Sequence, residues 1–461
     1  MTGDGAPHRL AERALELFTG DACTVLLTET SSAHLRWARN AVTTNGVTHD
    51  RTATVVVSVD RADGVAAGLL TRDVATPADI EALVRDADAS ARAATPRPDA
   101  RPPIGEGRSS CFTAPPEGTS PAVFAGFAAD LGAVLGGGRR ARHEWYGFAR
   151  HDVSTTYLAT SSGARLRHAG HSGSVEVTVQ AGDHHRSVWS GQFTEDFRDV
   201  DLAAVGRDLE RRLAWTRRRV AVPEGKYEVL LPPAATADLL VRLYDALGGR
   251  EAAEGGSPFG GPGGGADVGR LLCPLGLSLH SDPGEPGLGA RPFLAVHGPD
   301  ALRSPFDNGQ PLHRTVWLAD GRLRNLVTSR YSAELTGLPF VPHVGNLVLG
   351  GGTATLDEMV RTTRRGLLFT CLWYIRLVDP ATLLLTGLTR DGVFLVEDGE
   401  VVGACEDFRF TDSPVDLLGR ATEAGRAERT LPRDARSWFP RVVAPALRVP
   451  DLALSPAAPG S

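Results

Sequence analysis

The sequence predicts an α+β fold, in which a mixed α/β N-terminal domain precedes a β-rich C-terminal domain. Two patterns support this prediction. Helix and strand signals alternate in the first half of the chain, and short strand signals separated by turn residues dominate the second half. The 461 residues are enough for two hydrophobic cores, and the 52 glycines and 31 prolines are consistent with many turns.

The N-terminal domain is predicted to span residues 1–222, and it opens with a helix followed by strands. The helix is expected from about Pro7 to Phe18, because its apolar residues recur with a helical period. Strands are expected near Cys23–Thr28 and Thr52–Val59, where β-branched residues dominate.

Two further helices are predicted from the residues that begin them. Thr76 is a suitable N-cap, and Pro77 occupies the first helical position. A Pro-rich connector follows at residues 95–107. Another helix is expected to begin at Ser120-Pro121 and to end at the three glycines 136–138.

The rest of the N-terminal domain is expected to hold strands between about His143 and Trp189, followed by a helix. That helix carries apolar residues from Leu202 to Leu213. The domain boundary is placed near residues 223–225, where the helical pattern stops.

The C-terminal domain, residues 223–461, is predicted to begin with a leucine-rich helix from about Ala234 to Leu247. The glycine-rich loop at 255–269 lacks the G-K-[ST] sequence and follows a helix, so no phosphate-binding role is expected for it. Short strands follow, interrupted by a helix near Leu356–Arg364.

Composition argues against several classes of protein. The formal net charge of -6 does not favour nucleic acid as a partner. The N-terminus lacks the apolar segment of a signal peptide, and the longest apolar run, Leu367–Ile375, is too short to cross a membrane. The 5 cysteines are odd in number and form no C-x-x-C pair, which favours reduced thiols in the cytoplasm.

Metal or nucleophile chemistry has few candidate residues. The chain has a single His-Glu pair, His143-Glu144, and the next histidine, His151, is too distant for a helical zinc motif. Because this segment has the pattern of a strand, the side chains of His143 and His151 are expected to lie far apart.

Other histidines and a cysteine complete the alternative site. His168 and His171 form one cluster, and His184 and His185 form another; both are expected at strand ends, mostly exposed to solvent. Cys405 lies in a predicted strand with no basic neighbour in sequence to lower its pKa, so a reactive thiol is unsupported.

Several segments together resemble the TldD/PmbA family, also called TldD/TldE, and their order matches over nearly the whole chain. The segment at 37–59 is similar to the family's opening hairpin, and that at 328–339 to a strand that follows a family turn. The other segments that carry the resemblance are PFDNGQP at 305–311, LDEMVRTTRRGLLFTCLWYIRLVDPATLLLTG at 356–387 and GVFLVEDGEVVGA at 392–404.

The resemblance implies a family of paired chains, in which the TldD-type chain holds a metal through His-Glu-x-x-x-His on a helix and a cysteine near its end. In this chain the helix from about Ala234 occupies that place, and Leu240, Val241, Tyr244 and Asp245 stand where the ligands and base would be. No cysteine follows Cys405. Aliphatic side chains cannot bind zinc, so the resemblance implies a PmbA/TldE-type chain without a metal of its own.

Three functions remain open at this point. The favoured one is a non-catalytic cytoplasmic subunit that pairs with a TldD-type catalytic chain, whose zinc acts on unfolded or modified peptides, including natural-product precursors. The second is an autonomous hydrolase that uses His143, Glu144, His151, His168, His171 or Cys405. The third is a homodimer that binds a peptide or a carrier-linked intermediate without cleaving it.

Overall fold

The computed structural model describes residues 5–181 and 186–457. The first half of the chain contains four α-helices and six strands among the described residues. In chain order these are α1 (Pro7–Leu17), β1 (Ala22–Ala38), β2 (Ala41–Arg61), β3 (Gly64–Asp73), α2 (Pro77–Ala93), α3 (Ala125–Ala141, after a 3-10 turn at Pro121–Phe124), β4 (His143–Thr160), β5 (Arg165–Ala181), β6 (Ser187–Thr194) and α4 (Leu202–Trp215).

The second half contains short strands around a larger sheet, with the helices between them. Its elements are β7 (Gly225–Leu231), α5 (Pro233–Asp245), α6 (Gly249–Ala253), β8 (Leu279–Ser281), β9 (Thr315–Ala319), β10 (Arg322–Leu323), α7 (Arg330–Thr336), β11 (Leu347–Leu349), α8 (Leu356–Arg361), β12 (Arg365–Asp379), β13 (Leu384–Glu397), β14 (Glu400–Ala404), β15 (Phe408–Asp412), α9 (Pro414–Arg420), β16 (Glu423–Thr430) and β17 (Val442–Pro456). The predicted α+β fold class is therefore confirmed.

The first sheet is antiparallel, with strand order β3-β2-β1-β4-β5-β6. Because side chains alternate along a strand, the sheet has two distinct faces. One face packs against all four helices: α1 and α2 cover β1 and β2 near Val25 and Val55, and α3 and α4 cover β4 and β5 near Trp145 and Val177. The opposite face turns towards the C-terminal half, where Leu26 and Leu158 meet Phe293.

The second sheet runs in the order β10-β9-β8-β11-β17-β15-β13-β12-β7, with β14 paired to β13 and β16 to β17. α5 packs on this sheet against β12 and β17. One hydrophobic cluster contains Trp145 and Leu209 from the first half together with Leu368 and Phe394 from the second. The two halves thus share a core region, and the domain boundary at residues 222/223 remains a prediction.

The start of α2 is confirmed in detail, whereas the predicted end of α3 is wrong. The Thr76 hydroxyl accepts a hydrogen bond from the Asp79 backbone, and the Asp79 carboxylate accepts one from the Thr76 backbone. α3 continues through the three glycines to Ala141. A Cβ atom on Gly138 would lie 2.4 Å from the Trp145 ring, so glycine here allows close packing rather than ending the helix.

The segment at 328–339 also differs from its prediction, because it forms helix α7 and not a strand. The hydroxyl of Ser329 caps the Ser332 backbone, and the Ser332 hydroxyl caps Ser329 in return. The helix ends at Gly337, whose φ of +73° is readily adopted by glycine.

The segment Pro121–Ala141 is long and apolar enough to cross a membrane, judged by length and composition alone. Phe127, Leu131 and Leu135 on one side of α3 are buried in the cluster shared with Trp145, whereas its other side exposes mainly alanine and glycine. The expectation that the chain binds no membrane therefore remains a prediction.

Candidate functional site

Helix α5 stands where the sequence places the metal-site helix. Pro233 at its first position and the alanines and leucines that follow favour a helix. Leu240 and Val241 are 2% and 0% exposed, and they belong to the largest hydrophobic cluster of the C-terminal half. Burial on nearly every side makes α5 a core helix rather than one with a single apolar stripe.

Tyr244 and Asp245, the other two residues at this place, differ in environment. The buried Tyr244 hydroxyl donates to the carbonyl of Val344 at 3.0 Å and accepts from the Val344 backbone N–H at 2.8 Å. The ring of His343 lies 4.6 Å from the Tyr244 ring, between centroids. Asp245 is partly exposed to solvent, but desolvation by the surrounding protein raises the pKa of its carboxyl to about 6.

The C-terminal segment that should carry the family's cysteine ligand does meet α5. Phe439 packs edge-to-face on Tyr244, with 5.5 Å between the ring centroids. Trp438 lies over the guanidinium of Arg242 at 4.9 Å. Aromatic contacts occupy the place where the resemblance puts metal ligands, and two aliphatic side chains, one tyrosine and one carboxylate do not fit a zinc ion.

A cavity of about 550 Å³ lies near the C-terminal end of α5. It is enclosed between the C-terminal half and the face of β4 and β5 that the helices do not cover. Even-numbered residues of β4 (148–156) and β5 (168–176) line it together with Gly173, because most of their odd-numbered neighbours point to the face that the helices cover. Two C-terminal segments, 289–296 and 436–441, form the opposite wall, and His343 joins the cavity to α5.

The histidines of β4 are separated, as the strand pattern predicts. The Nδ1 atom of His143 lies 2.7 Å from the Glu210 carboxylate on α4. His151 is buried, with Nδ1 2.7 Å from the Thr119 hydroxyl and Nε2 2.8 Å from the Glu195 carbonyl. Glu144 accepts a hydrogen bond from Tyr146. Each group has a structural partner, and burial lowers the pKa of His151.

The histidines of β5 lie inside the strand, so the prediction that they occupy strand ends is wrong. The C-terminal half covers this part of the sheet, which sequence pattern could not reveal. His171 is exposed, as predicted, and its ring is 5.7 Å from that of His151. His168 is not exposed: it lines the cavity, where burial followed by the charges of Arg291 and Arg441 lowers its pKa to about 4.

Cys405 is a core residue just after β14, and burial raises its pKa to about 11. It lies in the hydrophobic cluster that also contains the buried residues of α5. His184 and His185 lie outside the described residues. Within the described ranges, no group of three or more His, Cys, Asp or Glu side chains is arranged to hold a metal ion.

The cavity arginines were missed by the sequence reasoning. Arg291 lies in a loop and Arg441 precedes β17, and nothing local in the sequence distinguishes them from the other arginines. The Arg291 guanidinium donates to the Thr156 hydroxyl at 3.0 Å and to the Ala295 carbonyl at 2.8 Å. Arg441 donates to the His171 carbonyl at 3.1 Å.

Comparison with solved structures shows the same fold over almost the whole chain. TldE from Thermococcus kodakarensis superposes with a TM-score of 0.78 at 16% identity, covering 97% of this chain and 99% of that one. A putative modulator of DNA gyrase from Bacteroides thetaiotaomicron gives 0.73 at 16% identity, with 97% of each chain covered. One from Thermotoga maritima gives 0.72 at 16% identity, covering 94% of this chain and 96% of that one.

Comparison with curated proteins returned no match. Residues 224–456, slightly more than half of the chain, match the family model of the PmbA/TldA metallopeptidase C-terminal domain. That span begins beside β7 and contains α5, the cavity wall and the whole second sheet. The chain therefore belongs to the TldD/PmbA metallopeptidase family.

Proposed function

We propose that the chain is a non-catalytic, PmbA/TldE-like subunit of a heteromeric metallopeptidase. Its partner would be a TldD-type chain with the His-Glu-x-x-x-His motif, and zinc would reside in that partner. The substrates would be unfolded or modified peptides, including precursors of peptide natural products, and the complex would work in the cytoplasm. Membership of the family supports peptide processing as the setting.

The observation that carries this proposal is the chemistry of α5. Leu240 and Val241 fill the hydrophobic core, and a metal ion would need nitrogen, oxygen or sulfur donors in their place. Two carboxylates lie on α5, but the helix carries no histidine. The buried Asp238 accepts hydrogen bonds from the backbone N–H groups of residues 433–435, and Asp245 has no metal-binding side chain beside it on the helix, so neither stands as the family's glutamate does. The chemistry of α5 therefore favours a non-catalytic subunit over an autonomous protease.

Strand edges offer a physical route by which such a subunit could help. The outer edge of β2 is not paired with β3 over residues 41–51, within the part of the chain that the structure describes. Its side chains there are mostly exposed. Extended peptides and partner chains bind such edges through backbone hydrogen bonds, which require no particular sequence.

The first test measures metal content and peptidase activity of the full-length chain, purified without chelators. Alone, the chain should contain far less than about one transition-metal ion per molecule and should not cleave an unfolded protein or extended peptides. Mixed with a TldD-type chain from the same genome, it should form a stable heteromer that cleaves them.

A matched control replaces the metal-binding histidines of the catalytic chain, which should abolish cleavage and leave the heteromer intact. About one metal ion per isolated chain, together with cleavage, would instead establish the autonomous hydrolase. A homodimer that binds peptides and forms no complex with the TldD-type chain would establish the binding-protein alternative.

A further inference from the structure

The cavity between the two halves of the chain has an excess of positive charge. Among its lining residues are five arginines but only two carboxylates, Asp152 and Glu176. The five arginines are Arg150, Arg291, Arg303, Arg436 and Arg441. Because a concave site with low-dielectric walls concentrates its field, this excess would attract anions more strongly than the same charges on an open surface.

Three of these arginines are neutralised by carboxylates. Arg150 pairs with Asp152 at 2.8 Å, and Arg436 pairs with Glu176 at 2.7 Å. Arg303 pairs with Asp300 just outside the cavity lining. Both carboxylates of the cavity are therefore already used.

Arg291 and Arg441 have no carboxylate within 4.0 Å among the described residues. The partners of Arg291 are a hydroxyl and a backbone carbonyl, and that of Arg441 is a carbonyl, with the Phe193 ring 5.6 Å from its guanidinium. In both side chains the Nε atom is buried without a hydrogen-bond partner. Each guanidinium retains partial contact with the cavity.

This arrangement of the two arginines costs free energy. Burial, followed by the charges of Arg441 and Arg303, lowers the pKa of Arg291 to about 10. Burial also lowers the pKa of Arg441, although the more distant charges of Glu195 and Asp152 act in the opposite direction. Both groups remain cationic at neutral pH, so two like charges are held in partly desolvated positions, and neither has a carboxylate within 4.0 Å in the part of the chain that the structure describes.

We infer that Arg291 and Arg441 form an oxyanion-binding subsite in this cavity, which takes a carboxylate or phosphate group of a small or peptidic ligand. Guanidinium groups bind such oxyanions through paired, charge-assisted hydrogen bonds. The hydroxyl of Ser172, which also lines the cavity, supplies a neutral donor. A volume of about 550 Å³ lies in the range typical of small-molecule sites.

His168 lies on the facing wall, which β4 and β5 form, and remains neutral at pH 7, since its pKa of about 4 lies well below that value. It can therefore donate or accept one hydrogen bond beside the anion without adding charge. The charge that holds the anion thus comes from the two arginines.

The test uses three probes with the full-length chain: inorganic phosphate, an N-acetylated tripeptide with a free C-terminal carboxylate, and the same tripeptide amidated at its C-terminus. Affinity is measured by calorimetry at low ionic strength, and the affinity of every probe that binds should fall as salt is added. Binding of phosphate alone identifies a phosphate source, and binding of the free carboxylate but not the amide identifies a carboxylate source. Binding of both establishes a general oxyanion site.

Two variants locate the site. Arg291→Gln and Arg441→Gln remove one charge each and keep most of the side-chain volume. Each variant should reduce the affinity for the probe that binds by at least about tenfold, which is the effect expected for losing a charge-assisted hydrogen bond. Because neither arginine has a carboxylate partner, the variants should remain folded, which circular dichroism and the unfolding midpoint verify.

Arg436→Gln is the matched control, because it removes the same charge from the same cavity but from a paired guanidinium. It should weaken binding less than about threefold. The inference is overturned if neither phosphate nor the free carboxylate binds, if the amide binds as well as the acid without any phosphate binding, or if all three variants weaken binding equally. None of these outcomes depends on whether the chain has a catalytic partner, so the subunit proposal is tested separately.

Discussion

Helix α5 carries the proposed function, and Leu243 tests whether it is the core helix that the structure shows. Its side chain is 0% exposed and packs in the cluster that also holds Leu240 and Val241. Removing a buried leucine side chain costs about 3–5 kcal/mol when the cavity cannot collapse. Leu243→Asp adds a buried carboxylate without a partner, so the total loss should be at least about 4 kcal/mol.

The assay is the midpoint of urea unfolding, followed by circular dichroism. Leu335→Asp on α7 is the matched control, because Leu335 is 53% exposed and the same substitution there should change stability by less than about 0.5 kcal/mol. Leu243→Ala should fall between the two, and it serves if Leu243→Asp does not fold. Equal midpoints for Leu243→Asp and Leu335→Asp would refute the burial of α5, and with it the argument that this helix has no room for a metal.

Three further predictions concern other parts of the chain. Gly138→Ala should destabilise the protein by about 1–3 kcal/mol, because the added Cβ atom would clash with the Trp145 ring. Gly132→Ala on the same helix should stabilise the protein by about 0.5–1 kcal/mol, because nothing lies within 4 Å of the added Cβ atom. Unfolding midpoints that shift in the same direction for both variants would contradict this prediction. Cys111 is the one exposed thiol of the five, so labelling of the native protein by a thiol reagent should be fast at one site and should disappear in Cys111→Ser. The pKa of Asp245 is raised to about 6, whereas the pKa of an aspartate in the unfolded chain is near 4. The protonated carboxyl therefore stabilises the fold fully below pH 4, and this stabilisation is lost as the pH rises through 6, so the stability of the protein relative to Asp245→Asn should fall from pH 4 to 7. A difference that stays constant with pH would show that the pKa of this carboxyl is not raised.

Local signals predicted those parts of the fold that depend on neighbouring residues. The capping box of Thr76 and Asp79 lies within a single helical turn. The strands expected near Cys23–Thr28 and Thr52–Val59 follow from their β-branched residues, although β1 and β2 extend well beyond those bounds. The leucine-rich pattern of α5 was sufficient to place that helix to within two residues at its C-terminal end. In each of these cases the interactions that decide the conformation lie close together in sequence.

Predictions failed where distant residues decide the outcome. The glycines of α3 read as a helix stop, but Trp145 on the next strand makes Gly138 a packing position. His168 was expected to be exposed, and the C-terminal half encloses it. Arg291 and Arg441 lie 150 residues apart in sequence, so only the folded chain brings their charges together.

The arrangement of these groups bears on what kind of non-catalytic subunit the chain would be. A purely structural subunit needs a folded core and an interface. Helix α5 and the two sheets supply the core, and charged residues in the cavity are not needed for it. Arg291 and Arg441, which have no carboxylate within 4.0 Å among the described residues, lower the stability of such a subunit, because their hydrogen bonds to a hydroxyl and to carbonyls replace the solvation of a charge only in part. An anion in the cavity would offset this cost, which favours a subunit that contacts substrate over one that serves only as a scaffold.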